Sequence, residues 1–87
     1  MIFNIKPGDL NEEIEFEEFK NILNSRQEGS FCIDLEETSQ MNLSKFNALV
    51  KLYVGLRRAG RSLCYANLHD SVRFFVDKTN FHHVFNS

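Results

Sequence analysis

Tryptophan is absent from this 87-residue chain, proline occurs once (Pro7), and cysteine occurs twice. The four glycines, Gly8, Gly29, Gly55 and Gly60, lie far apart, so no glycine-rich phosphate loop can form. Cys32 and Cys64 belong to no CxxC motif and to no Cys/His set with metal-ligand spacing. No apolar run comes near the roughly 18 residues of a membrane span, so no insertion is expected. Met1 is followed by no basic-then-apolar leader, so the expected setting is the cytoplasm. There is no internal repeat and no low-complexity stretch.

The length fits one small domain spanning 1–87. A chain of that size buries about 60–65% of its unfolded surface and can fold alone. Nine phenylalanines point to a core built on phenyl rings. Each cysteine sits in an apolar run and reads as a small reduced core residue; a disulfide or a reactive thiol is the alternative. Net charge is −2, but its sign is split. Residues 1–40 carry ten Asp/Glu against three Lys/Arg, while residues 41–87 carry two against seven. Opposite helix faces in solvent explain this, and so does a polarised surface that orients a protein partner. The basic half is too sparse for a nucleic-acid footprint and lacks interleaved aromatics.

Periodicity orders the elements. Ile2 to Lys6 alternates as an edge strand, and Pro7-Gly8 turns the chain. Asp9 or Asn11 can cap a helix over about Glu13–Asn24, with Phe16, Phe19, Ile22 and Leu23 at helical spacing. Phe31 to Asp34 reads as a buried central strand. Phe46, Leu49, Val50, Tyr53 and Leu56 form the stripe of a helix from 42–44 to Ala59, with Ser44 as its expected N-cap and Gly60 as its left-handed stop. Ser62 to Asn67 is a strand. Asp70 is the expected cap of a last helix lined by Val72, Phe75 and Val76, and Asn80 ends it. His82 to Asn86 is a tail or a last strand. Alternating strands and helices with short links imply crossover units and a largely parallel sheet.

Reactive chemistry is hard to assemble. His82-His83 are adjacent, so they cannot share a helix face, and no carboxylate motif accompanies them. Glu36-Glu37 follow a strand end, a usual place for functional groups in α/β proteins, and His69 precedes the start of a helix. A small nucleotide-binding or enzymatic domain resting on these three is one reading. No nucleophile, base and orienting group can be combined, so a non-enzymatic interaction module without cofactor is preferred.

The run "CIDLEETSQMNLSKFNALVKLYVGLRRAGRSL" and the following "CYANLHDSVRFFVDKTNFHHVF" resemble the STAS domain of anti-sigma factor antagonists, stressosome proteins and sulfate-transporter tails. The likeness is carried by Asp34-Leu35, Gly60, Val72, Phe75, Asn80-Phe81 and Val84-Phe85, with "GDLN" at Gly8–Asn11 similar to an early family turn. It implies an α/β fold with a mixed, largely parallel four-stranded sheet and helices packed on it, the first strand shortened or missing. It also implies bacterial signalling and transcription regulation. The partner would be an anti-sigma factor or serine kinase; in a second reading, it would be the ATPase of a lipid-transporting ABC system. A missing first strand would leave an open edge that invites a homodimer.

The departure falls on the family's switch. Counting without a gap from Asp34-Leu35 sets Asn42 on the conserved Asp and Leu43 on the phosphoacceptor. Ser44 then falls on the second hydroxyl and Lys45 on the Gly. Leu43 cannot take a phosphate, so binding without the usual switch is expected, with Ser44 as the alternative acceptor. Leu43 either turns into the core or stays exposed as an apolar contact. The expected partner surface is Glu36, Glu37, Asn42, Leu43, Ser44 and Lys45.

Overall fold

The structure is a computed structural model that describes residues 2–85. Three strands, β1 (Ile2–Ile5), β2 (Ser30–Asp34) and β3 (Ser62–Ala66), form one sheet in the order β1-β2-β3. Helix α1 (Glu13–Ser25) links the first two strands and α2 (Leu43–Arg58) the last two. Helix α3 (Asp70–Thr79) and the single turn α4 (His82–Phe85) follow. No helix among the described residues is long and apolar enough to cross a membrane.

Both strand pairs are parallel and share one register: Phe3 lies beside Phe31 and Phe31 beside Leu63, while Ile5 lies beside Ile33 and Ile33 beside Tyr65. Side chains alternate between faces along a strand, so these six point the same way. Four of them, Phe31, Ile33, Leu63 and Tyr65, are buried in a single core with Phe19 and Leu23 of α1, Phe46, Leu49, Leu52 and Leu56 of α2, Val72 and Val76 of α3, and Val84 and Phe85 of α4. Two successive right-handed crossovers along one direction of a sheet lay their helices on the same face. The opposite face bears Ile2, Asn4, Ser30, Cys32, Asp34, Ser62, Cys64 and Ala66, all exposed or half-exposed. Parallel sheets are ordinarily covered on both faces, so this uncovered one is a departure from the rule.

Three expectations are corrected here. The described sheet has three strands rather than four and no antiparallel pair. The tail makes the helical turn α4 instead of a strand; Asn86 lies outside the described residues. The reason is packing: the Phe85 ring stacks 4.9 Å from Phe46 and 4.8 Å from Tyr65, closing the core from the helix side. The cysteines are not core residues. Both are free and half-exposed on the uncovered face, where β2 is central but buried on one side only.

Helix ends also shift. Asn42, not Ser44, caps α2, its Oδ1 accepting the Lys45 N–H at 2.8 Å. His69, not Asp70, caps α3, its Nδ1 accepting the Ser71 N–H at 3.1 Å. Glu12 stands at the start of α1, and its N–H donates to the Glu15 carboxylate. The stops fall where the sequence places them. Gly60 (φ 78°) and Asn80 (φ 61°) are left-handed, and the Arg61 N–H reaches back to the Leu56 carbonyl at 2.9 Å.

Phe46 is the hub of the core, within 5.6 Å of Phe75 and 6.1 Å of Phe81 as well as stacked on Phe85. Phe46→Ala therefore costs about 3–5 kcal/mol, a large share of a small domain's stability. Urea unfolding should show the midpoint fall accordingly.

Candidate functional site

The carboxyl ends of the strands and the N-termini of α2 and α3 share one rim of the molecule, the place where open α/β sheets usually put function. Two long-range anchors hold the loop from Leu35 to Asn42 there. Among the described residues, Thr38 is the one buried polar residue. Its hydroxyl donates to the Gly8 carbonyl at 2.7 Å, and its own carbonyl accepts the Ser71 hydroxyl at 2.8 Å. Leu35, also buried, has its N–H on the Ala66 carbonyl at 2.9 Å, extending the β2–β3 ladder by one bond.

The second anchor is Asp9. Its Oδ1 accepts the Ser39 N–H at 2.5 Å and the Gln40 N–H at 3.1 Å, and the Ser39 hydroxyl adds a further bond. Desolvation works against its ionised form, but the Gln40 and Ser39 N–H groups, the Ser39 hydroxyl and the Lys45 ammonium outweigh it, so the carboxyl is held below its ordinary value. Lys45 completes the clamp. Its Nζ donates to the Asp9 carbonyl at 3.0 Å, the Asn11 Oδ1 at 2.7 Å and the Gln40 carbonyl at 2.9 Å. All three donors of the ammonium are thus committed within the chain.

The six expected partner-binding residues therefore divide. Glu36, Glu37, Asn42, Leu43 and Ser44 are exposed along the rim. Lys45 is half-buried and tied internally, so it is a brace for the surface rather than part of it. Asn42 spends its side-chain oxygen on the helix cap. Leu43 is 56% exposed at the first position of α2; the reading that turned it into the core is overturned. Ser44, no longer a cap, lies in the first turn of α2 and is exposed. Glu36 pairs with Lys6 at 3.6 Å, both in solvent, a contact of little energetic weight.

Behind Glu36, the Asp34 carboxylate accepts the Glu36 N–H at 2.9 Å and the Asn67 amide at 3.1 Å. These bonds, in that order of weight, hold its pKa below the usual carboxylate range. The residues proposed for enzymatic chemistry stay apart: among the described residues no hydrogen bond or ion pair joins His69 to Glu36 or Glu37.

Asp9 and Thr38 were not identified as site residues from the sequence. Their partners lie about thirty positions away, and the only local signal was the Pro7-Gly8 turn, which brings Asp9 back toward the sheet. No family model, no curated protein and no solved structure matches the chain.

The Asp9 clamp sets a pH dependence. A carboxyl whose pKa is lower in the folded state stabilises the fold above its unfolded value, and that contribution disappears as pH falls through the folded value. The Ser39 and Gln40 amides should lose hydrogen-exchange protection in a step below the ordinary carboxylate range. In Asp9→Asn the step should be absent and protection low throughout.

Proposed function

We propose that this chain is a non-enzymatic, STAS-like regulatory module of the bacterial cytoplasm that docks a protein partner through the rim formed by residues 36–46. The observation that carries the reading is the exposed Leu43 on a loop that is itself held fast. An apolar side chain kept in water at the start of a helix, on a backbone fixed by Asp9, Thr38 and Lys45, is preorganised for binding, and preorganisation reduces the ordering cost of association. The STAS resemblance supplies the partner class: an anti-sigma factor or a serine kinase of the histidine-kinase-like ATPase type.

Leu43 stands where the family carries its phosphoacceptor, so the contact is apolar and independent of phosphorylation. Docking then works as a constitutive interaction set by concentration, not as one switched by a kinase. Ser44 beside it is exposed but is not required to be modified.

Burying a leucine is worth about 1.5–3 kcal/mol, and each 1.4 kcal/mol is tenfold in affinity. Leu43→Asp should weaken capture of the native-host partner by about tenfold or more while leaving the thermal midpoint near that of the parent. Unchanged capture would remove Leu43 from the interface. Intact-mass spectrometry of the protein from its host should show no phosphorylated species; a phosphate located on Ser44 would restore a kinase switch and contradict the constitutive reading.

A further inference from the structure

The uncovered face of the sheet carries a second feature, unrelated to the rim. Cys32 and Cys64 occupy the same register position on neighbouring parallel strands, so their side chains leave the sheet side by side. Both are free and half-exposed. Above them Ser30 and Ser62, in the next register pair on that face, share a hydrogen bond of 2.9 Å. Below them lie Asp34 and Ala66. The central row of the face is therefore Asn4 of the edge strand and a pair of partly exposed thiols.

Neighbouring strands run about 4.8 Å apart. A disulfide needs its β-carbons within about 3.5–4.5 Å, so directly opposed residues on parallel strands must be pinched together to form one. A bridging ion has no such requirement. Two metal–thiolate bonds of about 2.3 Å each, the zinc–sulfur length, span about 4.6 Å when placed in line, close to the strand spacing itself. The ligand count then selects the ion. Among the described residues no group of three His, Cys, Asp or Glu side chains is placed to hold a metal, so a tetrahedral zinc centre has no ligand set. Two thiolates alone suit a soft d¹⁰ monovalent cation that accepts linear coordination.

We infer that Cys32 and Cys64 form a two-coordinate site for a soft monovalent cation, copper(I) being the biological case. Binding releases the two thiol protons to solvent and leaves a copper bis-thiolate with one net negative charge; no electron is transferred. Burial, and after it the neighbouring Cys64 thiol, pushes the Cys32 thiol up to about 11. The site stands on the uncovered face and does not depend on the docking role of the rim.

The test is competition for copper(I) held in its coloured bicinchoninate complex, using the full chain under anaerobic, reducing conditions. One copper should be withdrawn per chain. Cys32→Ser and Cys64→Ser should each weaken binding by about a hundredfold or more, the gain that a second tethered ligand supplies. Ser62→Ala, a change on the same face, should bind as the parent does. X-ray absorption at the copper edge should show two sulfur neighbours and no nitrogen or oxygen. Failure to withdraw copper, parental affinity in either serine variant, or one copper per two chains would each overturn the assignment. Loss of metal binding would leave the Leu43 interface untouched, and loss of that interface would leave the metal site untouched.

Discussion

The constraint on which everything else in this molecule depends is the common register of three short parallel strands. Because Phe3, Phe31 and Leu63 fall in one row and Ile5, Ile33 and Tyr65 in the next, the large side chains of the sheet are gathered on one face. All four helices contribute to the one core that those strands line. A slip of one residue in any strand would turn its apolar set to solvent, so the alternation of side chains specifies the register strongly. Tyr65 shows how tightly the layers are joined: its ring stacks on Phe85, while its hydroxyl donates to the Leu49 carbonyl of α2 at 2.8 Å. That bond satisfies a buried polar group that would otherwise be costly. Burial raises the phenol well above its ordinary value.

One-sided packing has two consequences for function. The carboxyl ends of the strands and the N-termini of α2 and α3, with the loop before α2, make a rim whose backbone is fixed by contacts to the Pro7–Asn11 turn. The exposed Leu43 is therefore presented by a stiff surface, not by a floppy loop. The other consequence is the uncovered sheet face, where small and polar residues replace the branched apolar ones that a second helix layer would require. The two surfaces share no residue, and the chain can use them independently.

Much of the fold is legible in the sequence because it rests on local signals. The helical spacing of Phe16, Phe19 and Leu23, the stripe from Phe46 to Leu56, and the stops at Gly60 and Asn80 all act within a few residues. Each appears in the structure where that spacing puts it. What the sequence concealed is of two kinds. The cysteines look like core because each sits between apolar neighbours, but Ser30 and Asp34 share the parity of Cys32, and Ser62 shares that of Cys64. Period two, applied strictly, places both thiols on the polar face. The rim network is the other kind. Asp9, Asn11 and Lys45 each have plausible local roles as caps or surface charges, and only the tertiary approach of two loops turns them toward one another. Competition between a local cap and a long-range acceptor is not resolved by spacing; Asn42 takes the cap of α2, leaving Ser44 exposed.

The most direct test of the one-sided sheet is the labelling of Cys32 and Cys64 by a maleimide in the native protein, followed by mass spectrometry across urea concentrations below the unfolding transition. If the face is open, both thiols are modified in the native protein, and the rates do not change with urea in this range. Rates that climb with urea, in proportion to the unfolded fraction, would mean that the thiols are covered in the native state, and would contradict a sheet packed on one face only.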